Sequence, residues 1–168
     1  IAAIEWAMSN NNAVFLTAQQ DMDVEDPGFK DLYAYGVVAE VKQVLRVSDE
    51  LVKVLVEGKY RAKLLTLDSS GRFLLASTKA AALRGTKSVD SARVEALVRS
   101  VKEAFEEYLS LNPRLSKDVV YTIITNEDAA LLCDYIPANL LLKYTDKQAL
   151  LNEGTVSGRL EKLLEILR

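Results

Sequence analysis

The stretch KVLVEGKYRAKLL, residues 53–65, decides how the first half of the chain is read. It opens with valines at every second position, the pattern of a half-buried strand. A Glu-Gly pair follows, and then three cations gather around a tyrosine. A phosphate-cradling loop needs a second glycine and a Lys-Ser/Thr pair, so that backbone N–H groups wrap the anion. Gly58 has no glycine near it, so that motif fails, as does the three-glycine dinucleotide fingerprint. A strand that bends at Gly58 remains. Val52, Val54 and Val56 face one way, and Tyr60, Ala62 and Leu64 keep the alternation. Glu57, Gly58 and Arg61 form the corner, with Glu57 placed to pair with Arg61 or Lys59. Gly58 is expected to need a conformation or close approach that alanine would not tolerate. Lys59, Arg61 and Lys63 share a strand face and make a candidate cation row for nucleic acid.

Working outward, IAAIEWAM (residues 1–8) places Ile1, Ile4 and Met8 on one helical face, and the SNNN run after it stops the helix. AVFLTA (13–18) is a short apolar run suited to a buried strand. QQDMDVEDPGFKD (19–31) is an acidic loop. YAYGVVAEVKQVLRV (33–47) is rich in β-branched residues and reads as a strand, SDE (48–50) as a turn, and FLLASTKAAAL (73–83) as a further strand.

Near Gly85 the texture changes. RGTKSVD (84–90) reads as a linker, with Asp90 or Ser91 as a helix cap. Beyond it Val94, Leu97, Val98, Val101, Phe105 and Tyr108 form one helical stripe that ends before Asn112-Pro113. Residues 116–125 are β-branched, yet the Ser116 cap and the helical neighbours favour a helix. Residues 126–141 read as a helix capped near Asn126 and disturbed at Pro137. Thr145 to Gln148 has a capping-box pattern, and Thr155 caps a last helix bearing Leu160, Leu163, Leu164 and Leu167. The fold class is therefore α+β: a β-rich half over residues 1–85, then an all-helical half over residues 90–168.

Composition narrows the function. Of 168 residues, 49% are hydrophobic and 27% charged, enough for a core and a solvated surface. A net charge of −3 and a pI near 5.1 oppose a nucleic-acid module. No apolar run approaches the ~20 residues that span a bilayer. The opening residues lack the basic start and apolar core of a signal peptide. Histidine is absent, which removes Ser-His and Cys-His chemistry and the commonest zinc ligand. The single cysteine, Cys133, suits a reducing compartment and a place in the core.

Four carboxylates in DMDVEDPG (21–28) invite a calcium reading, but Asp26 stands where the EF-hand loop needs glycine and Leu32 where it needs glutamate. Ser77-Lys79 and Ser116-Lys117 are ordinary spacings with no nucleophile motif around them. GFKDLYAYG (28–36) gathers Phe29, Leu32, Tyr33 and Tyr35 in and beside a loop. Either a partner polypeptide covers them or they pack under their own loop.

The run from AVFLTAQQDMDVEDPGFKDLYAYGVVAEVKQVLRV through LVKVLVEGKYRAKLL, with YTDKQALLN in the second half, resembles the N-terminal domain of bacterial ATP-dependent Lon proteases. The order of the blocks matches over nearly the whole chain. The resemblance implies a PUA-like β subdomain, incomplete at its N-terminus, and then a helical bundle leading toward an ATPase domain. It implies a non-catalytic segment that recognises unfolded or damaged proteins and supports homohexamer assembly in the cytoplasm. ATP and magnesium chemistry and a Ser-Lys peptidase dyad would belong to other domains of an AAA+ serine protease. No catalytic, cofactor or metal residues are expected here. The substrate-contact candidates are Phe29, Leu32, Tyr33 and Tyr35, and the alternative is a PUA-like nucleic-acid binder using Lys59, Arg61 and Lys63.

Overall fold

Alternating valines in the first half pair into one antiparallel sheet. The computed structural model describes residues 1–48, 51–85, 91–111 and 115–168. The parts of the sequence reading that fall on residues 49–50, 86–90 and 112–114 lie outside them: the SDE turn, the linker, the Asp90 cap and the Asn112-Pro113 stop. The chain divides into two compact units, Ile1–Ala82 and Leu83–Arg168.

The first unit runs α1 (Ala2–Ser9), β1 (Ala13–Leu16), a single 3-10 turn (Phe29–Asp31), β2 (Tyr35–Arg46), β3 (Val52–Asp68) and β4 (Leu75–Ala80). The sheet order is β1-β2-β3-β4, with every pair antiparallel. Asn12 turns the chain from α1 into β1 with φ 57°, a left-handed conformation that asparagine tolerates. Its N–H donates to the Ala7 carbonyl, and its own carbonyl accepts from Val41 N.

Three register shifts bend the ladder, leaving Lys42 of β2 and Lys59 and Leu65 of β3 as extra, unpaired residues. The shift at Lys59 corrects the expected alternation. Gly58 lies opposite Ala39, while Tyr60 lies opposite Val38. Val52, Val54 and Val56 therefore share a face with Gly58, and Tyr60, Ala62 and Leu64 turn to the other face.

Gly58 itself is unremarkable. Its φ is not positive, and a Cβ there would meet only Val37 Cγ1, at 3.4 Å. The bend comes from the extra residue beside it, so the expectation that Gly58 must be glycine is not supported. The close approach falls at Gly36 instead. A Cβ there would stand 2.2 Å from the Leu16 carbonyl oxygen and 2.7 Å from Phe15 Cζ.

The second unit is a bundle of α2 (Ser91–Leu111), α3 (Lys117–Thr125), α4 (Ala129–Asn139), α5 (Tyr144–Asn152) and α6 (Val156–Leu167). The α2 stripe buries Val98, Val101 and Phe105 against Leu132, Ile136, Leu160 and Leu163. Leu83 packs against this core, Arg84 N donates to the Gly154 carbonyl, and Val156 N donates to the Arg84 carbonyl. Those bonds draw Leu83 and Arg84 into the helical unit.

Ser116 and Thr155 cap their helices, accepting from Val119 N and Gly158 N. Two capping expectations are corrected. Asp128, not Asn126, caps α4 by accepting from Ala130 N and Leu131 N. Thr145 lies inside α5, which starts at Tyr144 without a side-chain cap. Pro137 is accommodated within α4, two residues before its end.

Candidate functional site

The loop between β1 and the 3-10 turn is held by its own glutamines. Gln19 Nε2 donates to the Val24 carbonyl, and Gln20 Nε2 donates to the carbonyls of Lys30 and Leu32. Thr17 Oγ1 donates to the Tyr33 carbonyl, and Tyr33 N donates to Ala18 O. This bonding separates the four candidate contacts. Leu32 is buried, and Tyr33 and Tyr35 are half-buried. Tyr35 lies under Arg61, whose guanidinium carbon is 4.0 Å from the ring centroid. Only Phe29, at 49% exposure, presents a large apolar surface to solvent. Leu32, buried in this fold, offers little side-chain surface to a partner.

The cation row is broken up by the bulges. Glu40 and Glu57 lie directly opposite each other on β2 and β3, a repulsive arrangement by itself. The two bulged lysines resolve it. Lys42 Nζ sits 2.8 Å from Glu40 and 2.9 Å from Glu57, and Lys59 Nζ repeats both distances. Hydrogen bonds from Lys59 and then Lys42 hold the Glu57 carboxyl down at about 2, and the carboxylates raise both lysines above their usual range. Glu57 thus pairs with Lys59 and Lys42 rather than Arg61. Arg61 stacks on Tyr35 and donates to the Ala81 carbonyl. With Lys59 held by two carboxylates and Arg61 turned onto a tyrosine, the three cations do not form a row aimed at phosphates.

Other chemistry is muted. Cys133 is buried, donates weakly to the Val156 carbonyl, and has its thiol pushed up to about 12 by burial. Among the described residues no three His, Cys, Asp or Glu side chains gather where they could hold a metal, and no helix is long and apolar enough to cross a membrane.

Concavities among the described residues include one over the sheet and one on the helical unit. One, of about 350 Å³, lies over the sheet between Trp6 of α1, Phe15, Val38, Tyr60 and Phe73. The Trp6 and Phe73 rings touch across it at 5.7 Å between centroids, and Asn11 and Thr78 add polar groups to its wall. The other, of about 470 Å³, lies between α2 and α3 and is lined, among the described residues, by Leu109, Leu115, Val120, Tyr121 and Ile124, with Lys117 as the one charged side chain among them. Tyr121 is 70% exposed and Ile124 42% exposed. No candidate taken from the sequence included this groove. A signal was present: Val119, Val120 and Ile123 suffice to pack α3 inward, so Tyr121 and Ile124 are surplus apolar residues on the same short helix.

Comparison with known proteins matches residues 1–168 to the ATP-dependent protease La (LON) substrate-binding domain family. Lon protease 3 of Sorangium cellulosum is 38% identical over 169 residues, covering all of this chain and 20% of that protein. Lon protease of Escherichia coli strain K12 is 36% identical over 167 residues, covering 99% of the chain and 21% of that protein. The chain thus spans about a fifth of the length of these relatives. The N terminal domain of Mycobacterium avium complex Lon protease superposes with a TM-score of 0.76 at 21% identity, covering 99% of this chain and 83% of that one. A Lon N-terminal domain protein from Xanthomonas campestris gives a TM-score of 0.60 at 14% identity, covering 98% and 81%.

Proposed function

The chain belongs to the Lon substrate-binding domain family, and from that premise we propose that it captures unfolded or damaged polypeptides for a Lon-type protease without cutting them. Cleavage by a Ser-Lys dyad and unfolding by an ATP- and magnesium-dependent motor are assigned to other parts of the parent protein. The parent works in the cytoplasm as a homohexamer that this segment helps to assemble.

The observation that carries the binding role is the α2–α3 groove. Its lining among the described residues is apolar apart from Lys117, with Tyr121 largely in water and Ile124 partly so. A folded protein keeps its large apolar side chains inside, so a groove of this kind selects chains that expose theirs. One Leu- or Phe-sized anchor buried there contributes about 1.5–3 kcal/mol, enough for weak, releasable capture. Phe29 offers a second, smaller contact on the other unit.

The test is a fluorescence anisotropy titration with labelled, reduced and carboxymethylated α-lactalbumin, which stays unfolded. Replacing both Tyr121 and Ile124 by alanine is expected to weaken binding by about tenfold, since roughly one side chain's worth of apolar contact is lost. Phe29→Ala should lose less. Unchanged affinity in a doubly substituted protein with native circular dichroism would remove the groove from the binding surface.

A further inference from the structure

The α2–α3 groove is polarised along its length. Lys117, Val120, Tyr121 and Ile124 follow one another at i, i+3, i+4 and i+7, so they form one stripe along α3, and all four line the groove. At about 1.5 Å of rise per residue, the Lys117 and Ile124 ends of the stripe lie roughly 10 Å apart.

The two ends differ in charge. At the Ile124 end a cation is already neutralised. Lys102 Nζ donates to the Ile124 carbonyl at 3.0 Å and to Glu127 at 2.8 Å, and its side chain is mostly covered. At the other end Lys117 is exposed, and among the described residues no carboxylate pairs with it. Asp118, Glu106 and Glu107 are the carboxylates next to lining residues in sequence, and none of them lines the groove among the described residues. Asp118 heads the neighbouring stripe of α3, where Thr122 Oγ1 donates to its carbonyl.

We propose that Lys117 sets the specificity of this groove, which takes polypeptide segments carrying an acidic side chain two or three residues from an apolar anchor and disfavours those carrying Lys or Arg there. The inference rests on the reading of the groove as the polypeptide site. The anchor covers Tyr121 and Ile124. An extended chain advances about 3.3 Å per residue, so the second or third residue along reaches Lys117. An ammonium at the end of an apolar wall attracts a carboxylate that arrives with the anchor and repels another cation. The Lys102–Glu127 pair carries no net charge, so charge at that end of a bound segment matters less. Lys117 is exposed, so the preference is modest and is screened by salt.

The ¹⁵N-labelled chain is titrated at low salt with end-capped Gly/Ser peptides that carry a Phe-Ser-Leu anchor and, about three residues beyond it, Glu, Gln or Lys. Amide shifts of Tyr121 and Ile124 read the affinity. The Glu peptide should bind about two- to fivefold more tightly than the Gln peptide, and the Lys peptide should be weaker than Gln by a similar factor. A second glutamate on the far side of the anchor should add less than about twofold. These margins should shrink at roughly 0.5 M salt. Lys117→Glu should reverse the order of the Glu and Lys peptides. The position is exposed and an acidic residue suits the first turn of a helix, so that variant keeps its fold. An order unchanged in Lys117→Glu, or wild type binding all three peptides alike at low salt, overturns the specificity and leaves capture by the groove standing. No saturable shift at Tyr121 and Ile124 with any peptide would remove the groove as a site, and the specificity with it.

Discussion

Adding one methyl group at Gly36, and one at Gly58 for comparison, separates close strand packing from local bending. A Cβ at Gly36 would lie 2.2 Å from the Leu16 carbonyl oxygen, where ordinary carbon–oxygen contacts are about 3.3 Å or more. One strand must therefore move by about 1 Å. Leu16 is held in register opposite Val37, and Phe15 Cζ blocks a second direction at 2.7 Å. Overpacking of this kind costs about 1–3 kcal/mol, and a backbone obstacle places it at the upper end. For a unit of roughly 80 residues that is a fall in midpoint of about 10–20 °C. Gly58→Ala meets only Val37 Cγ1 at 3.4 Å and gains the entropy that glycine forfeits in a strand. It should stay within about 1 kcal/mol of wild type. The single tryptophan, Trp6, lies in this unit, so thermal unfolding followed by its emission reports the unit directly. A Gly58→Ala loss equal to or greater than that of Gly36→Ala would refute the assignment of the bend to Lys59 and of the close approach to Gly36.

Four further outcomes are expected. Glu57→Gln should lower the Trp6-detected midpoint at pH 7 and low salt. The Glu57 carboxyl is held down at about 2, so its contribution is full above the ordinary carboxylate range and fades as pH falls toward 2; there mutant and wild type should converge. Lys42 and Lys59 are raised, so their contribution holds below the ordinary lysine range and fades only as pH rises beyond it. Cys133 should resist Ellman's reagent at pH 8 in the native protein and react fully in denaturant, because burial keeps its thiol protonated. Arg159 is 3% exposed and binds the Asp134 carboxylate and the Glu153 carbonyl. Arg159→Ala should cost about 1–3 kcal/mol in urea unfolding followed by circular dichroism at 222 nm, from the lost packing of its buried stem and the unpaired Glu153 carbonyl, while the exposed Asp134 carboxylate simply returns to water. In the same assay Asp128→Ala should cost about 1 kcal/mol and Thr145→Ala much less, since only Asp128 caps a helix.

Periodicity made most of the architecture legible. Alternating valines in β3 and the Val98, Val101, Phe105 stripe of α2 placed their elements because each must bury one face. Bulges escaped, since an unpaired residue is defined by its partner strand, and neither Lys42 nor Lys59 carries a local mark of it. That omission propagated to function: the supposed cation row assumed unbroken alternation through Lys59. Asn126 and Asp128 are both favourable cap types two residues apart, so side-chain type alone does not say which of them α4 starts behind. The aromatic loop was visible as a cluster, but its glutamine bonding, which buries Leu32 and leaves Phe29 outside, depends on contacts twelve residues apart in sequence. The groove carries no distinct mark in the sequence, because Tyr121 and Ile124 have the same residue types and spacing as side chains that pack inward on a short helix.

The most direct test of polypeptide capture is a residue-resolved one. The ¹⁵N-labelled chain is titrated with unlabelled, reduced and carboxymethylated α-lactalbumin, and amide shifts are followed by NMR. The expected result is progressive, saturable perturbation centred on Leu109, Leu115, Val120, Tyr121 and Ile124, with a smaller change at Phe29 and none in the buried α6 core. Saturable perturbations elsewhere with a silent α2–α3 groove, or no perturbation at all, would contradict it.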